Sequence, residues 1–178
     1  MFSFIKREML SNFDIEKICK KLDLPIIGVF CKDQLPRERK IGSYYINLQN
    51  HNEGEGTHWV LAKIFSDDER QNVEHITTNK KGKQIYRVGA LYFDPFGLDM
   101  PKEVEEFLSP FKPIPFSNRQ IQGLKQEECG WYCIGCDYSL EHKQDEDTYI
   151  DDYNKFITLW SDKPSTNLRY LKALFKPL

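Results

Sequence analysis

The chain has 178 residues, 40% of them hydrophobic and 29% charged, which suits one domain spanning residues 1–178 around a sizeable core. Its net charge of −2 provides no overall positive field for nucleic acid or anionic lipid, and no apolar run nears the roughly 20 residues that span a bilayer. Five cysteines, an odd set clustered late in the chain, do not make a disulfide framework and point to free thiols in a reducing compartment.

The opening residues Met1 to Lys6 are too short a run, and too soon charged, for a signal peptide. Ser11 or Asn12 can cap a first helix whose apolar residues Phe13, Ile15, Ile18, Cys19 and Leu22 fall mostly on one face, with Asp23 and Pro25 ending it. Residues 25–31 and 43–48 read as strands. A polar loop over 49–56, carrying Gly54 and Gly56, leads into residues 57–64, apolar enough for a central strand. Residues 66–83 are the most hydrophilic stretch, with a candidate small strand at 73–78 and a turn signal at 79–82.

Residues 86–93 read as a further strand closed by Asp94, Pro95 and Gly97, and 102–108 as a short helix after Pro101. Pro110, Pro113 and Pro115 are expected to keep the next segment extended. The apolar run 131–140 reads as a buried helix. Tyr149, Ile150, Tyr153, Phe156, Ile157 and Trp160 recur at the spacing of an amphipathic helix. A last helix, capped by Ser165 or Thr166, carries Leu168, Leu171, Leu174 and Phe175. The order of helix, strands and helices predicts an α+β fold with a mixed central sheet flanked by helices.

Cys129 stands where a polar loop turns into the buried helix. The first N–H groups of a helix lack internal partners and carry partial positive charge, which favours a thiolate nucleophile. Such a thiolate needs a base and a group that orients the base. His58, at the start of the central strand, is the candidate base. Asp94, at the end of a strand expected beside it, can accept the far imidazole N–H. Gln122, seven positions before Cys129, can donate its amide to an oxyanion beside the Cys129 backbone N–H, and Gln126 reads as a loop residue. His51, His75 and His142 read as surface or satisfied histidines. Cys133 and Cys136 make a CxxC, but there is no second Cys pair or close His pair to complete a zinc site, and the pair lies too far into the helix for a thioredoxin-like motif. They read as small core residues, and neither metal nor cofactor is expected.

Three blocks, Gly56-Thr57-His58-Trp59, Leu91-Tyr92-Phe93-Asp94-Pro95-Phe96-Gly97, and Gln122-Gly123 with Cys129-Gly130, resemble the adenovirus-type maturation cysteine proteases (adenain-like) and their virophage and Polinton-type relatives. The order His, acid, Gln, Cys is the family's, and the likeness covers nearly the whole chain. By position, the resemblance implies Cys129 as nucleophile, His58 as base, Asp94 as orienting acid and Gln122 in the oxyanion hole. Gly56, Trp59 and Gly130 then belong to the substrate cleft. The implied reaction is endopeptidase cleavage of capsid or other virion precursors at small, glycine-containing sites. The implied setting is the virion interior and the infected-cell cytoplasm or virus factory.

The chain departs from that pattern in three ways. Asp94 replaces the adenoviral Glu, residues 66–83 lengthen the segment between His58 and Asp94, and no cysteine lies between Cys31 and Cys129 to tether a peptide activator. A disulfide-linked activator is therefore not expected; a peptide activator would bind non-covalently, for example as an added strand, and a DNA requirement is not expected. The SUMO-removing proteases share the order of catalytic residues but usually carry a long substrate-binding extension. A catalytically dead module that keeps the cleft is a third reading, which the presence of all four active-site residue types opposes.

Overall fold

The computed structural model describes residues 9–54, 56–65, 76–78, 84–86, 89–142 and 149–175. The first helix, α1 (Asn12–Lys21), is closed by a reciprocal cap in which Ser11 Oγ accepts from the Asp14 N–H and the Asp14 carboxylate accepts from the Ser11 N–H. Ser11, not Asn12, is therefore the cap. Phe13 is 75% exposed and does not share the buried face. At 100° per residue it lies about 200° from Ile15, whereas Ile15, Ile18, Cys19 and Leu22 form one stripe.

Strands β1 (Ile26–Cys31), β2 (Gly42–Asn47), β3 (Trp59–Ile64) and β6 (Ala90–Phe93) form one mixed sheet in the order β1-β2-β3-β6. The β1–β2 pair is parallel, and the β2–β3 and β3–β6 pairs are antiparallel. Strands β4 (Ile76–Thr78) and β5 (Gln84–Tyr86) make a separate antiparallel pair. The strand expected over 86–93 is thus divided: Tyr86 ends β5, Ala90 begins β6, and residues 87–88 lie outside the described residues. The hydrophilic stretch 66–83, apart from 76–78, and His75 lie outside them as well.

Alternation along the strands sends neighbouring side chains to opposite faces. Tyr45, Trp59, Leu61, Leu91 and Phe93 pack against α1, α3 (Cys129–Glu141), α4 (Tyr149–Thr158) and α5 (Pro164–Leu174). Tyr44, Ile46, Val60, Ala62, Ile64 and Tyr92 pack against α2 (Lys102–Leu108) and the Phe111 turn. Both faces are covered, so β2, β3 and β6 are buried along their whole length. Among the described residues the result is a mixed α/β architecture with a four-stranded mixed sheet and five α-helices.

Two local expectations are corrected. Ser109–Phe111 forms a short 3₁₀ turn, so the extended run starts only at Lys112; a proline in a first turn lacks only an N–H that would have had no partner. The last helix begins at Pro164, which places Ser165 and Thr166 inside its first turn instead of at the cap. Trp160 lies just beyond α4 yet is 2% exposed, edge-on to Tyr132 and Phe156. Among the described residues, no helix is long and apolar enough to cross a membrane.

Candidate active site

Strand pairing assembles the site. In the β3–β6 ladder Leu61 faces Phe93, and extending that register brings the residues after β6 alongside those before β3. His58 precedes β3 and Asp94 follows β6, and His58 Nε2 lies 2.7 Å from Asp94 Oδ1. Both are buried. A carboxylate can only accept here, so Nε2 carries the proton and Nδ1 is left as the basic nitrogen. Nδ1 is buried with no hydrogen-bond partner, and Cys129 is the second group, after Asp94, that acts on the ring electrostatically.

Burial, the largest single influence on His58, disfavours its charge. The hydrogen bond to Asp94, then the influence of the neighbouring Cys129 and the charges of both groups, together outweigh burial and raise the imidazole to about 9. Burial pushes Cys19 up to about 12, raises Cys31, and drives Cys133 and Cys136 well above the ordinary thiol range. The three buried thiols, Cys19, Cys133 and Cys136, are thereby held neutral.

Cys129 is the first residue of α3, at the electropositive end of a helix of 13 residues. The Trp59 backbone N–H donates to its sulfur at 3.4 Å. Both the helix end and this donor favour negative charge on Sγ. The Trp59 ring turns into the core, where its Nε1–H donates to the Leu10 carbonyl at 2.7 Å. What Trp59 offers the thiol directly is its backbone N–H. Gly130 is buried against Leu10, and Gly56, at φ +104°, lies so close to Asn47 that a Cβ would clash with its Nδ2.

The turn after β6 carries three further contributions. Asp94 Oδ1 also accepts from the Phe96 N–H at 2.7 Å, and the Phe96 ring stacks on the His58 imidazole with centroids 4.3 Å apart. Pro95 O accepts from the N–H groups of both Ile121 and Gln122, at 3.0 and 2.9 Å, so the acid-bearing turn is stitched to the glutamine segment. Gly97, at φ +69°, sits where a Cβ would meet the backbone of Asn118 and Arg119 at 2.7 Å. We expect Gly97→Ala to cost at least about 1 kcal/mol in denaturant unfolding and to reduce any activity, because the strained residue must push that segment away.

Gln122 is fully buried, and one N–H of its amide donates to the Gln126 carbonyl at 2.6 Å. Nε2 carries two hydrogens, so this bond orients the amide and leaves a second donor for a ligand. Gln126 acts as a brace: its Oε1 accepts from the Gly123 N–H, and its Nε2 donates to Pro164 O at the start of α5. On the oxyanion role expected for Gln122, Gln122→Ala should lower turnover on the order of 10- to 1000-fold with little change in KM.

The structure therefore brings Cys129, His58 and Asp94 together, with Gln122 joined to the acid turn. The sequence reading gave no individual role to Phe96 or to the Trp59 peptide. An aromatic two residues after the acid is the only sequence signal for the first, and the second, being backbone, has none. Among the described residues, no group of three or more His, Cys, Asp or Glu side chains is arranged to hold a metal ion. His51 pairs with Asp33 at 2.6 Å on the surface, and His142 Nδ1 lies 3.1 Å from Tyr138 O. No family model matches this chain, and a comparison with curated proteins finds no match.

Proposed function

We propose that the chain is a thiol endopeptidase of the adenovirus maturation type. The observation that carries this reading is the His58–Asp94 pair at 2.7 Å, with Cys129 acting on the imidazole and a backbone N–H directed at its sulfur. In the proposed reaction, Sγ of Cys129 attacks the scissile carbonyl carbon while His58 holds the thiol proton on Nδ1. The oxyanion is held by the Cys129 backbone N–H and the second amide hydrogen of Gln122. His58 then gives its proton to the leaving amine as the C–N bond breaks, leaving a thioester. Neutral His58 takes a proton from water, which attacks the thioester and releases the acid and Sγ. Asp94 keeps the proton on Nε2 throughout and stabilises the imidazolium.

The substrate class in this reading is capsid or other virion precursor protein cut at small, glycine-containing sites, in a virion or infected-cell compartment that keeps thiols reduced. Basal activity needs no disulfide-linked peptide and responds little to DNA, since the net charge is −2. A non-covalent peptide would find edge strands at β1 and β6, and Pro115 O already accepts from Tyr92 N–H on the outer side of β6. The test is incubation in dithiothreitol with a capsid precursor and, separately, a SUMO fusion, reading new termini by mass spectrometry. Cuts beside glycine in the precursor support the proposal. Cutting of the SUMO fusion alone moves the reading to modifier removal, and no cut in either, with or without added peptides and DNA, contradicts it.

A further inference from the structure

The helix carrying Cys129 has ten of its thirteen residues buried, with apolar neighbours on every side. A helix of that kind has no amphipathic stripe to fix its rotation about its own axis. One row of side chains does face β3. Cys129, Cys133, Asp137 and Glu141 follow one another at four-residue steps, and Trp59, Leu61 and Lys63 alternate onto the same sheet face.

The two rows meet at both ends. At the catalytic end they clasp the two sides of the Trp59 peptide: its N–H donates to Cys129 Sγ, and its carbonyl accepts from the Cys133 thiol, each at 3.4 Å. At the far end Lys63, 2% exposed, spends all three ammonium hydrogens on Asp137 Oδ1 at 2.6 Å, Glu141 Oε1 at 2.7 Å and Ser43 Oγ at 2.7 Å. Asp137 is completed by Ser43 Oγ–H at 2.7 Å and Tyr45 OH at 2.9 Å, so both of its oxygens are filled. Four residues of strand, Trp59 to Lys63, span about 13 Å, and eight of helix, Cys129 to Asp137 or Cys133 to Glu141, about 12 Å, so the spacings match. None of these charges has a part in the reaction steps.

We propose that Lys63, Asp137 and Glu141 are positioning residues that set the rotation and axial placement of α3 on β3, and thereby hold Cys129 Sγ against the Trp59 N–H and His58. A buried ion pair contributes little to net stability compared with well-packed apolar residues, but it can select one arrangement among packings of similar energy. A shift by one residue along the helix turns it by about 100°, enough to take the sulfur off its donor. This inference rests on the reading of Cys129 as an activated thiol.

The test compares the full chain with Lys63→Met/Asp137→Leu, which removes both buried charges together, and with Tyr45→Phe, which removes one hydrogen bond from Asp137 and strands no charge. The readouts are cooperative unfolding and the rate of Cys129 alkylation by iodoacetamide against pH. We expect a folded double variant whose alkylation near pH 7 falls at least about tenfold and whose profile moves to that of a free thiol. For Tyr45→Phe we expect a fall of about two- to fivefold with its unfolding midpoint little changed. A folded double variant with the wild-type rate and profile overturns the inference, as does an unchanged rate in Tyr45→Phe should the double variant not fold. If the wild-type profile is itself that of a free thiol, the proposed function fails and this inference with it.

Discussion

Replacing Cys129 with alanine is expected to abolish peptide hydrolysis, on the order of a 10⁶-fold loss in kcat, while leaving the fold in place. The sulfur's hydrogen-bond contacts are one N–H at 3.4 Å and a distant Glu127 carbonyl at 4.0 Å, so little structure depends on them. Cys133→Ala is the matched control. Its thiol is fully buried, held neutral and bonded to Trp59 O, so its loss should lower stability by roughly 1 kcal/mol and change kcat by less than about tenfold. Circular dichroism and urea unfolding separate the two outcomes. Inactivation by Cys133→Ala in a folded protein, with Cys129→Ala active, would place the nucleophile one helical turn away.

His58→Ala should be nearly as damaging, and the double variant with Cys129→Ala no worse than either single one, since the pair acts as a unit. Asp94→Asn should fall between wild type and His58→Ala. The base survives, but Oδ1 now serves the His58 and Phe96 donors without its charge. The pH dependence follows from the same pair. The imidazole, near 6.5 when unfolded, is raised to about 9 in the fold, so its ion-pair stabilisation is complete below about pH 6.5 and is lost as pH rises through about 9. The alkaline limb of kcat/KM should lie near 9 and move down in Asp94→Asn.

The meeting of His58, Asp94 and Cys129 was legible because each sits where an element begins or ends. Apolar runs betrayed β3, β6 and α3, and antiparallel pairing of neighbouring strands put His58 and Asp94 side by side. The direction of the Trp59 ring was not legible: β3 is buried on both faces, so its sequence lacks the apolar–polar alternation that assigns a face. Lys63 is hidden for a related reason. A lysine inside an apolar strand reads as an exposed residue until its partners, 74 and 78 positions away on α3, are brought to it. Phe13 shows the opposite failure, an apolar residue adjacent to a correct stripe but on the wrong side of it. The 3₁₀ turn at Ser109–Phe111 arose because the Phe111 ring is drawn under the sheet, a tertiary pull that three prolines in a row of loop residues do not reveal.

If His58 and Asp94 make the Cys129 thiol reactive, the pH profile of its alkylation must show it. The full chain is treated with iodoacetamide at a series of pH values, and the labelled peptide is counted by mass spectrometry in wild type and His58→Ala. Selective labelling of Cys129 is expected at a rate nearly constant between about pH 6 and 8, with His58→Ala slow at neutral pH and rising toward the ordinary thiol range near 8.5. A wild-type rate that climbs about tenfold per pH unit to 8.5, unchanged by His58→Ala, would contradict it.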